Sequence, residues 1–268
     1  MPPRHFPKDT PFLVNKGDSI KRAAANLQAA GFIHSDLLFS IYARFTDKDK
    51  GVIAGIYVFD KPTNMFSMAE KMTKTGGSEP YVKVTIPEGS NNAEIAAILE
   101  KRIVNFSKEE FLTGTMELEG YLFPDTYHLS PYSSEDVIID ILRKNFNEKM
   151  KPLEPGIKQF GKPLSEVLIM AAIIEEEGKS PESKRMISDV LWKRLKDDMP
   201  LQVDVATSTY ATTGLTPKPI TNPGLESIQA AINPKPNPYW YYLSDEDGNF
   251  HYATSFEDHT ANIAKYLK

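Results

Sequence analysis

The segment from Leu118 to Tyr127 combines one carboxylate with several aromatic and apolar side chains. Glu119 is followed by Gly120, whose lack of a side chain leaves room for a ligand to approach the backbone. A glutamate carboxyl is almost wholly ionised at neutral pH, but apolar surroundings raise its pKa toward roughly 6, where a proton stays available. The segment therefore predicts that Glu119 is a general acid. The alternative is a salt bridge of Glu119 at a helix end, with the aromatic rings in the core.

The same segment carries rings that could contact a ligand. Tyr121, Phe123 and Tyr127 have flat apolar faces, which suit the apolar faces of sugar rings. Spacing in the sequence does not distinguish this use from burial in a core, so both interpretations stay open.

Further polar candidates occur at a helix end and in loops. Glu175–Glu177 end an apolar stretch predicted to be a helix, where three negative charges oppose the helix dipole. We expect at least one of them to be held by a partner or a function; the alternative is a solvated helix end. Gln202, Asp204 and Asn222 lie in a segment rich in Thr, Pro and Asn that we predict to be a long loop region, where binding residues are over-represented.

Motifs for several other chemistries do not occur in the sequence. It contains no Walker loop, no G-x-G-x-x-G, no H-E-x-x-H and no G-x-S-x-G. The run Asp245, Asp247 and Asn249 resembles the start of a calcium loop, but Phe250 stands where the turn requires glycine. No metal and no cofactor are expected, since the histidines also show no ligand spacing: His5, His34, His128, His251 and His259.

A strand, turn and helix pattern that appears twice organises the first hundred residues. Phe12, Val14, Gly17, Ala23, Ala24 and Leu27 align without gaps with Val84, Ile86, Gly89, Ile95, Ala96 and Leu99. The alternative to a repeat is that any two such units look alike. Between the copies we predict a helix over 36–45, a strand over 52–59 and a helix over 63–72 that stops at Gly76-Gly77.

Helices dominate from Ser107 onward, where S-x-x-E predicts a capping box. Apolar periodicity predicts helices around 137–146, over 164–177, from Pro181 to about Leu195, and a short one near 225–232. A hairpin over 239–253 and a helix capped by Ser255 follow. The prediction is an α+β chain with a small N-terminal subdomain (1–106) and a larger, mostly helical domain (107–268) that ends in a hairpin and a helix.

Composition and charge exclude several classes of protein. The 268 residues include 31 basic and 36 acidic side chains, a net charge of −5, and the basic residues form no stripe, so nucleic acid is not expected as a partner. The longest apolar run, Val167 to Ile174, is far shorter than the about 20 residues of a membrane-spanning helix. Met1 to Asp9 also lack the apolar core of a signal peptide, so we expect an unexported chain or part of a larger one. There is no cysteine.

Five motifs follow one another within residues 107–268. They are E-G-Y-L-F-P-D-T-Y from Glu119, I-I-E-E-E from Ile173, L-Q-V-D from Leu201, P-I-T-N-P-G from Pro219 and F-E-D-H-T from Phe256. In this order they resemble the YceG-like (MltG) family of bacterial endolytic murein transglycosylases, in which the second and third motifs read S-I-I-E-K-E and L-Q-x-D. The part of the chain before them resembles the LysM-like subdomain of that family.

The resemblance implies cleavage of the β-1,4 bond between N-acetylmuramic acid and N-acetylglucosamine in peptidoglycan. Glu119 takes the position of the catalytic glutamate: it protonates the glycosidic oxygen and then, as a carboxylate, assists the muramic 6-hydroxyl, which leaves a 1,6-anhydro end. A single acid fits this reaction, whereas ordinary glycosidases use two. The resemblance further implies substrate-binding roles for Tyr121, Asp125, Tyr127, Glu175, Gln202, Asp204 and Asn222.

Two departures from the family pattern affect these expectations. The N-terminal anchor of the family does not precede Met1, so the chain is expected to be part of an envelope protein from the outer face of the cytoplasmic membrane. An element containing S-x-Y-N-T-Y does not occur before Gly214, and part of the substrate groove is expected to be missing with it. Peptidoglycan strands are the expected partner, and peptidoglycan synthases are a second one that the family makes plausible.

Two rival functions stay open. A chain with a shortened groove could bind the cell wall without cutting it, as a scaffold. Alternatively, a hydrolytic glycosidase could use Asp125 or Asp204 as a second carboxylate.

Overall fold

The computed structural model describes residues 1–46, 51–78 and 81–267. They divide into two compact units, Met1–Lys83 with His128–Tyr132, and Val84–Tyr127 with Ser133–Lys268. No helix in these ranges is long and apolar enough to cross a membrane.

The first unit is a small sheet with helices. Its elements are β1 (Phe12–Val14), α1 (Ile20–Ala29), α2 (Asp36–Thr46), β2 (Gly55–Tyr57) and α3 (Met65–Glu70), which continues as a π-helical turn over Lys71–Thr75. β1 pairs antiparallel with β2, and Phe12 lies opposite Tyr57. Phe6, Phe12, Phe32 and Phe59 contact one another at ring distances of 5.5–6.2 Å. These edge contacts between rings anchor the core of the unit.

Helices form most of the rest of the chain. The elements are β3 (Val82–Thr85), α4 (Asn92–Glu100), α5 (Lys108–Gly114), β4 (Thr126–Leu129), α6 (Glu135–Met150), α7 (Glu154–Phe160), α8 (Leu164–Glu177), α9 (Pro181–Lys196), α10 (Leu225–Ile232), β5 (Tyr241–Ser244), β6 (Phe250–Ala253) and α11 (Phe256–Tyr266). Short 3-10 segments cover Lys151–Leu153 and Asp204–Tyr210. β3 pairs with β4, and β5 pairs antiparallel with β6.

The central helix of the second unit is α8. All eight residues of the apolar run from Val167 to Ile174 are buried, so α8 is apolar around its whole circumference, as expected for a helix enclosed by others. α9 and α10 pack on it. The acidic end of α8, Glu175–Glu177, therefore follows directly on the core and is held at a fixed place.

The repeated strand and helix pattern is present in the structure. β1 with α1 and β3 with α4 have the same order, and their helices begin after N-caps at aligned positions, Ser19 and Asn91. The aligned apolar residues are all buried: Phe12, Val14, Ala23, Ala24 and Leu27 in the first copy, and Val84, Ile86, Ile95, Ala96 and Leu99 in the second.

Several element bounds differ from the prediction. The strand predicted over 52–59 is only β2, and the helix predicted over 63–72 begins at Met65 and runs on to Thr75. Ser107 does cap α5, because its Oγ accepts from the N–H of Glu110. The return bond of the predicted capping box is replaced, since the N–H of Ser107 donates to Glu135 of α6.

The second copy of the repeat lies in the second compact unit, which includes residues 84–106. The division into a subdomain 1–106 and a catalytic domain 107–268 stays a prediction. α4 packs on α5, and the N–H of Gly89 donates to the carbonyl of Asn222 at 3.0 Å. The second copy of the repeat is thereby tied to residues more than a hundred positions later.

Candidate active site

Glu119 lies in the turn between α5 and β4, against the first turn of α4. Its side chain is half-buried. Oε1 accepts from the backbone N–H of Asn92 at 3.0 Å and from Nδ2 of Asn222 at 3.1 Å. Both donors are neutral amides, so the helix-end salt bridge considered above is wrong for Glu119: the carboxyl sits at the start of a helix and meets backbone and amide donors.

Asn222 holds this site together. Its side chain is fully buried. Oδ1 accepts from the N–H groups of Gly120 and Leu122, both at 2.9 Å, and Nδ2 lies 3.0 Å from the carbonyl of Ser90. Since two N–H groups face Oδ1, the amide has only one satisfactory orientation. Nδ2 must therefore point toward Glu119.

Asn92 is a site residue that the sequence analysis missed. Besides its N–H bond to Glu119, its Oδ1 accepts from Nδ2 of Asn222 at 3.0 Å, and its own Nδ2 donates to the carbonyl of Thr115 at 2.9 Å. Asn91 and Glu94 form a complete capping box just before it. The N-cap pattern at Asn91 was the available signal, because the free N–H groups after a cap attract a carboxylate.

Burial raises the pKa of Glu119 to about 7. The N–H of Asn92 and the charge of Lys218 act in the opposite direction, and Glu94 adds a smaller upward contribution. Burial dominates because the neutral donors stabilise the carboxylate less than water would. A pKa in this range keeps a proton available on Glu119 near neutral pH, which is the condition that a general acid requires.

Gly120 has a packing role in the structure, whereas the sequence analysis predicted that it lets a ligand approach the backbone. It is buried and has a φ of 86°. A Cβ at this position would lie 2.6 Å from Cγ of Pro219. The glycine therefore lets the turn after Glu119 fit against the segment that carries Asn222.

Glu175 supports that segment from the other side. Its carboxylate pairs with Nζ of Lys184 at 2.7 Å and accepts from the N–H of Gly224 at 2.8 Å. Both side chains of the pair are less than a tenth exposed. Glu175 is therefore a positioning residue for the turn after Asn222, and in this structure it is not available for contact with a substrate.

The aromatic and acidic residues after Glu119 divide between core and surface. Tyr127 is buried, 7% exposed, and its hydroxyl donates to the carbonyl of Phe123. Its ring has no free face for a sugar, so Tyr127 belongs to the core, as the alternative held. Tyr121 is half-buried and packs on Phe146 at 5.3 Å.

Asp125 is held by several donors. It accepts from Nδ2 of Asn145 at 3.1 Å and from the N–H of Thr126 at 2.7 Å, and it lies 3.3 Å from Nζ of Lys149. Burial acts to raise its pKa, but these bonds outweigh burial and lower the pKa below its usual value. Asp125 is thus a fixed carboxylate.

Gln202 and Asp204 lie away from the hydrogen bonds around Glu119. Both are exposed. They line a separate cleft of 420 Å³ together with Glu177, and Glu119 is not among the lining residues of that cleft. Oδ1 of Asp204 accepts from the hydroxyl of Tyr210 at 2.6 Å. Within the described part of the chain, Asn222 is thus the one predicted site residue that is hydrogen-bonded to the side chain of Glu119.

Comparison with known proteins gives consistent matches. An endolytic murein transglycosylase of Bacillus subtilis is 28% identical over 97% of this chain and 86% of its own length. Another from Streptococcus pneumoniae is 25% identical over 95% of this chain, and the chain spans only 58% of the length of that relative. This second alignment runs over 318 positions, more than the 268 residues present here, so the relative carries residues that this chain lacks.

A solved structure and a family model agree with these matches. A crystal structure of a YceG-like protein from Listeria monocytogenes superposes with a TM-score of 0.61 at 24% identity, covering 94% of this chain and 98% of that one. The model of the YceG-like family matches residues 12–211 and 207–265, two ranges that overlap over 207–211, just before the short join at Thr212–Gly214. Because these ranges include most of the chain, this protein belongs to the YceG-like family.

Proposed function

We propose that this chain cuts peptidoglycan glycan strands as an endolytic lytic transglycosylase, with Glu119 as general acid and base. One observation carries the proposal: the carboxyl of Glu119 has a pKa of about 7 and is held in one orientation by Asn222 and Asn92. Family membership and the printed names of the relatives support it.

In this mechanism Glu119 first donates its proton to the oxygen between N-acetylmuramic acid and N-acetylglucosamine. The glycosidic C–O bond breaks as the proton arrives. The resulting carboxylate then takes the proton of the muramic 6-hydroxyl, whose oxygen bonds to the anomeric carbon and leaves a 1,6-anhydro end. Asn222 donates to Oε1 throughout and keeps the carboxyl from rotating. No water is consumed, so no second carboxylate is needed.

The surroundings of Glu119 favour this reaction over hydrolysis. Asp125 is engaged by Lys149 and Asn145, and Asp204 lies in the separate cleft. Glu94 raises the pKa of Glu119, but its carboxylate accepts from the N–H of Asn91 in the capping box. Asp125 and Glu94 are therefore held by other donors, and Asp204 lines another cleft. In this mechanism none of the three activates a water molecule.

The wider assignments form part of the same proposal. Tyr121 contacts the sugar beside the cleaved bond, and Gln202 and Asp204 bind a more distant part of the substrate. Residues 1–106 act as a LysM-like region, whose second copy also supplies Asn92 to the active site, and 107–268 act as the catalytic region. The protein works in the bacterial cell envelope, at the outer face of the cytoplasmic membrane, beside peptidoglycan synthases.

The test is mass spectrometry of purified glycan strands after incubation with the chain. We expect fragments with 1,6-anhydro ends, and we expect Glu119→Gln to abolish them. Glu117→Gln is the matched control, since Glu117 is an exposed acid two positions away; it should cut normally. Fragments heavier by one water would indicate a hydrolase instead, and retention on murein without any fragments would indicate a scaffold.

A further inference from the structure

The side-chain amide of Asn222 presents two hydrogens to three acceptors. Its Nδ2 lies 3.0 Å from the carbonyl of Ser90 and 3.0 Å from Oδ1 of Asn92. Oε1 of Glu119 is 3.1 Å away. Because an amide nitrogen carries only two hydrogens, at least one of them is shared between two of these oxygens.

The carbonyl of Ser90 depends least on this amide. It also accepts from the backbone N–H of Asn222 at 3.0 Å, so it keeps a donor when the amide hydrogen turns elsewhere. Oδ1 of Asn92 has no second donor in the part of the chain that the structure describes. Asn92 is only 5% exposed, so water does not readily compensate a lost bond. The shared hydrogen is therefore divided chiefly between Asn92 and Glu119.

The amide of Asn92 is fixed in the orientation that competes. Its Nδ2 donates to the carbonyl of Thr115 at 2.9 Å, and a rotated amide would bring two NH₂ groups together at Asn222. The carbonyl of Thr115 also accepts from the N–H of Leu118 at 2.9 Å, directly before Glu119. Asn92 is thus held against the turn that carries the acid.

The two carboxyl oxygens of Glu119 have different surroundings. Oε1 faces the N–H of Asn92 and Nδ2 of Asn222, whereas Oε2 is 3.4 Å from the same N–H of Asn92. The proton of the neutral acid therefore belongs on Oε2, since an oxygen that faces two donors is poorly placed to carry it. A hydrogen given to Oε1 stabilises the carboxylate more than the neutral acid. The share of that hydrogen taken by Asn92 thus favours the protonated form.

Charged groups act on Glu119 from two neighbouring segments. Lys218, in the loop that carries Asn222, lowers the pKa of Glu119, and Glu94 of α4 raises it. Neither group forms an ion pair with Glu119 among the described residues. The direct contacts of the carboxyl are therefore neutral donors, and the division of the Asn222 hydrogen acts on it at bonding distance.

We propose that Asn92 is a positioning residue that sets how tightly Glu119 holds its proton, because its Oδ1 competes with Oε1 for one hydrogen of Asn222. While Glu119 is protonated, the shared hydrogen lies toward Asn92. When the proton leaves for the glycosidic oxygen, the shared hydrogen moves toward Oε1 and stabilises the carboxylate. Asn222 stays within bonding distance of both oxygens, so no side chain has to rotate. This role in catalysis rests on the proposed function.

The test is the pH dependence of kcat/KM in variants of Asn92. Asn92→Leu removes the competing oxygen and keeps the backbone N–H that bonds Glu119. The midpoint of the alkaline limb should fall by about one unit. As a result, kcat/KM should be about tenfold lower than that of the unaltered chain at pH 8 and nearly equal to it at pH 5. Asn92→Asp introduces a stronger acceptor of like charge and should move the midpoint upward.

Asn233→Leu is the matched control, since Asn233 is an exposed asparagine whose amide donates to the carbonyl of Gln229 at a helix end. It should leave the midpoint unchanged. A purely structural role of Asn92 would lower kcat/KM at every pH without moving the midpoint, and this result overturns the inference. If Asn92→Leu does not fold, the direction of the shift in Asn92→Asp decides by the same criterion.

An NMR titration of the side-chain carboxyl carbon of Glu119, without substrate, separates the inference from the proposed function. We expect a midpoint near 7 for the unaltered chain and one about a unit lower for Asn92→Leu. Equal midpoints overturn the inference even if both proteins cut glycan strands. Shifted midpoints together with no cleavage by the unaltered chain support the control of the proton by Asn92 and contradict the proposed function.

Discussion

Nδ2 of Asn222 lies 3.1 Å from Oε1 of Glu119, and the Oδ1 of the same amide accepts from the two N–H groups that flank Tyr121. One buried side chain thus fixes both the backbone of the catalytic turn and the carboxyl that the turn presents. Position and orientation of Glu119 cannot be separated from each other here, and the predictions below follow from this coupling.

Ionisation of Glu119 should make the fold less stable as the pH rises. Its pKa in the fold, about 7, lies above the value of 4.5 for an unperturbed glutamate. The stabilisation is therefore fully present below pH 4.5 and is lost as the pH rises through 7. Glu119→Gln removes this loss. Its free energy of unfolding should match the parent protein at pH 4 and exceed it by about 1–2 kcal/mol at pH 8, after allowance for partial exposure. Chemical denaturation at both pH values measures this, and an equal difference at both would contradict the raised pKa.

Activity should fall on the alkaline side as Glu119 loses its proton. The descending limb of kcat/KM against pH should have a midpoint near 7, because the free enzyme must hold the proton. Asn222→Asp replaces the donor to Glu119 with a second carboxylate, so we expect this midpoint to move upward. A purely structural role of Asn222 would lower activity without moving the midpoint.

Loss of the Asn222 amide should cost both stability and rate. Asn222→Ala leaves the N–H groups of Gly120 and Leu122 without their acceptor, so the free energy of unfolding should fall by about 2–5 kcal/mol. The remaining folded protein should cut about 100-fold more slowly, because Glu119 is no longer oriented. Thermal melting and initial rates check this; Asn233→Ala, a helix-end asparagine outside the site, is the control.

Substitutions of Lys184 and Glu175 should have strongly non-additive effects on the free energy of unfolding. Lys184→Met leaves a buried, uncompensated charge and should cost about 3–5 kcal/mol. Combined with Glu175→Gln, whose amide oxygen can still accept from Gly224, most of that loss should return. A double variant as unstable as the single Lys184→Met would show that the lost packing of the lysine, not the charge, is responsible.

Tyr127 and Tyr121 should respond differently to substitution. Tyr127→Phe removes a buried hydroxyl that bonds Phe123 and Asn145, so it should cost about 1–3 kcal/mol of stability and leave KM for the glycan unchanged. Tyr121→Ala should raise KM if the ring contacts a sugar. An increase in KM for Tyr127→Phe would contradict its place in the core.

The sequence by itself determined the elements and the acid. Periodicity predicted the helices around α8 and the repeated units of β1–α1 and β3–α4, since helix and strand periods are written in local spacing. The surroundings of Glu119, one carboxylate among apolar residues, predicted a proton donor, and the raised pKa agrees with it. The short join near Gly214 was likewise visible as a departure from the family motifs.

Only the tertiary structure decided which residues meet Glu119. Asn92 comes from the first turn of α4 and Asn222 from a loop far along the chain, and their contact with Glu119 depends on how the turn at Gly120 packs on Pro219. The tertiary structure also decided that Tyr127 is buried in the core and that Glu175 forms an ion pair with Lys184. The sequence does not distinguish a polar side chain of the site from one with a structural role. The difference lies in burial and hydrogen bonding between segments that are far apart in the chain, and local spacing does not encode which segments meet.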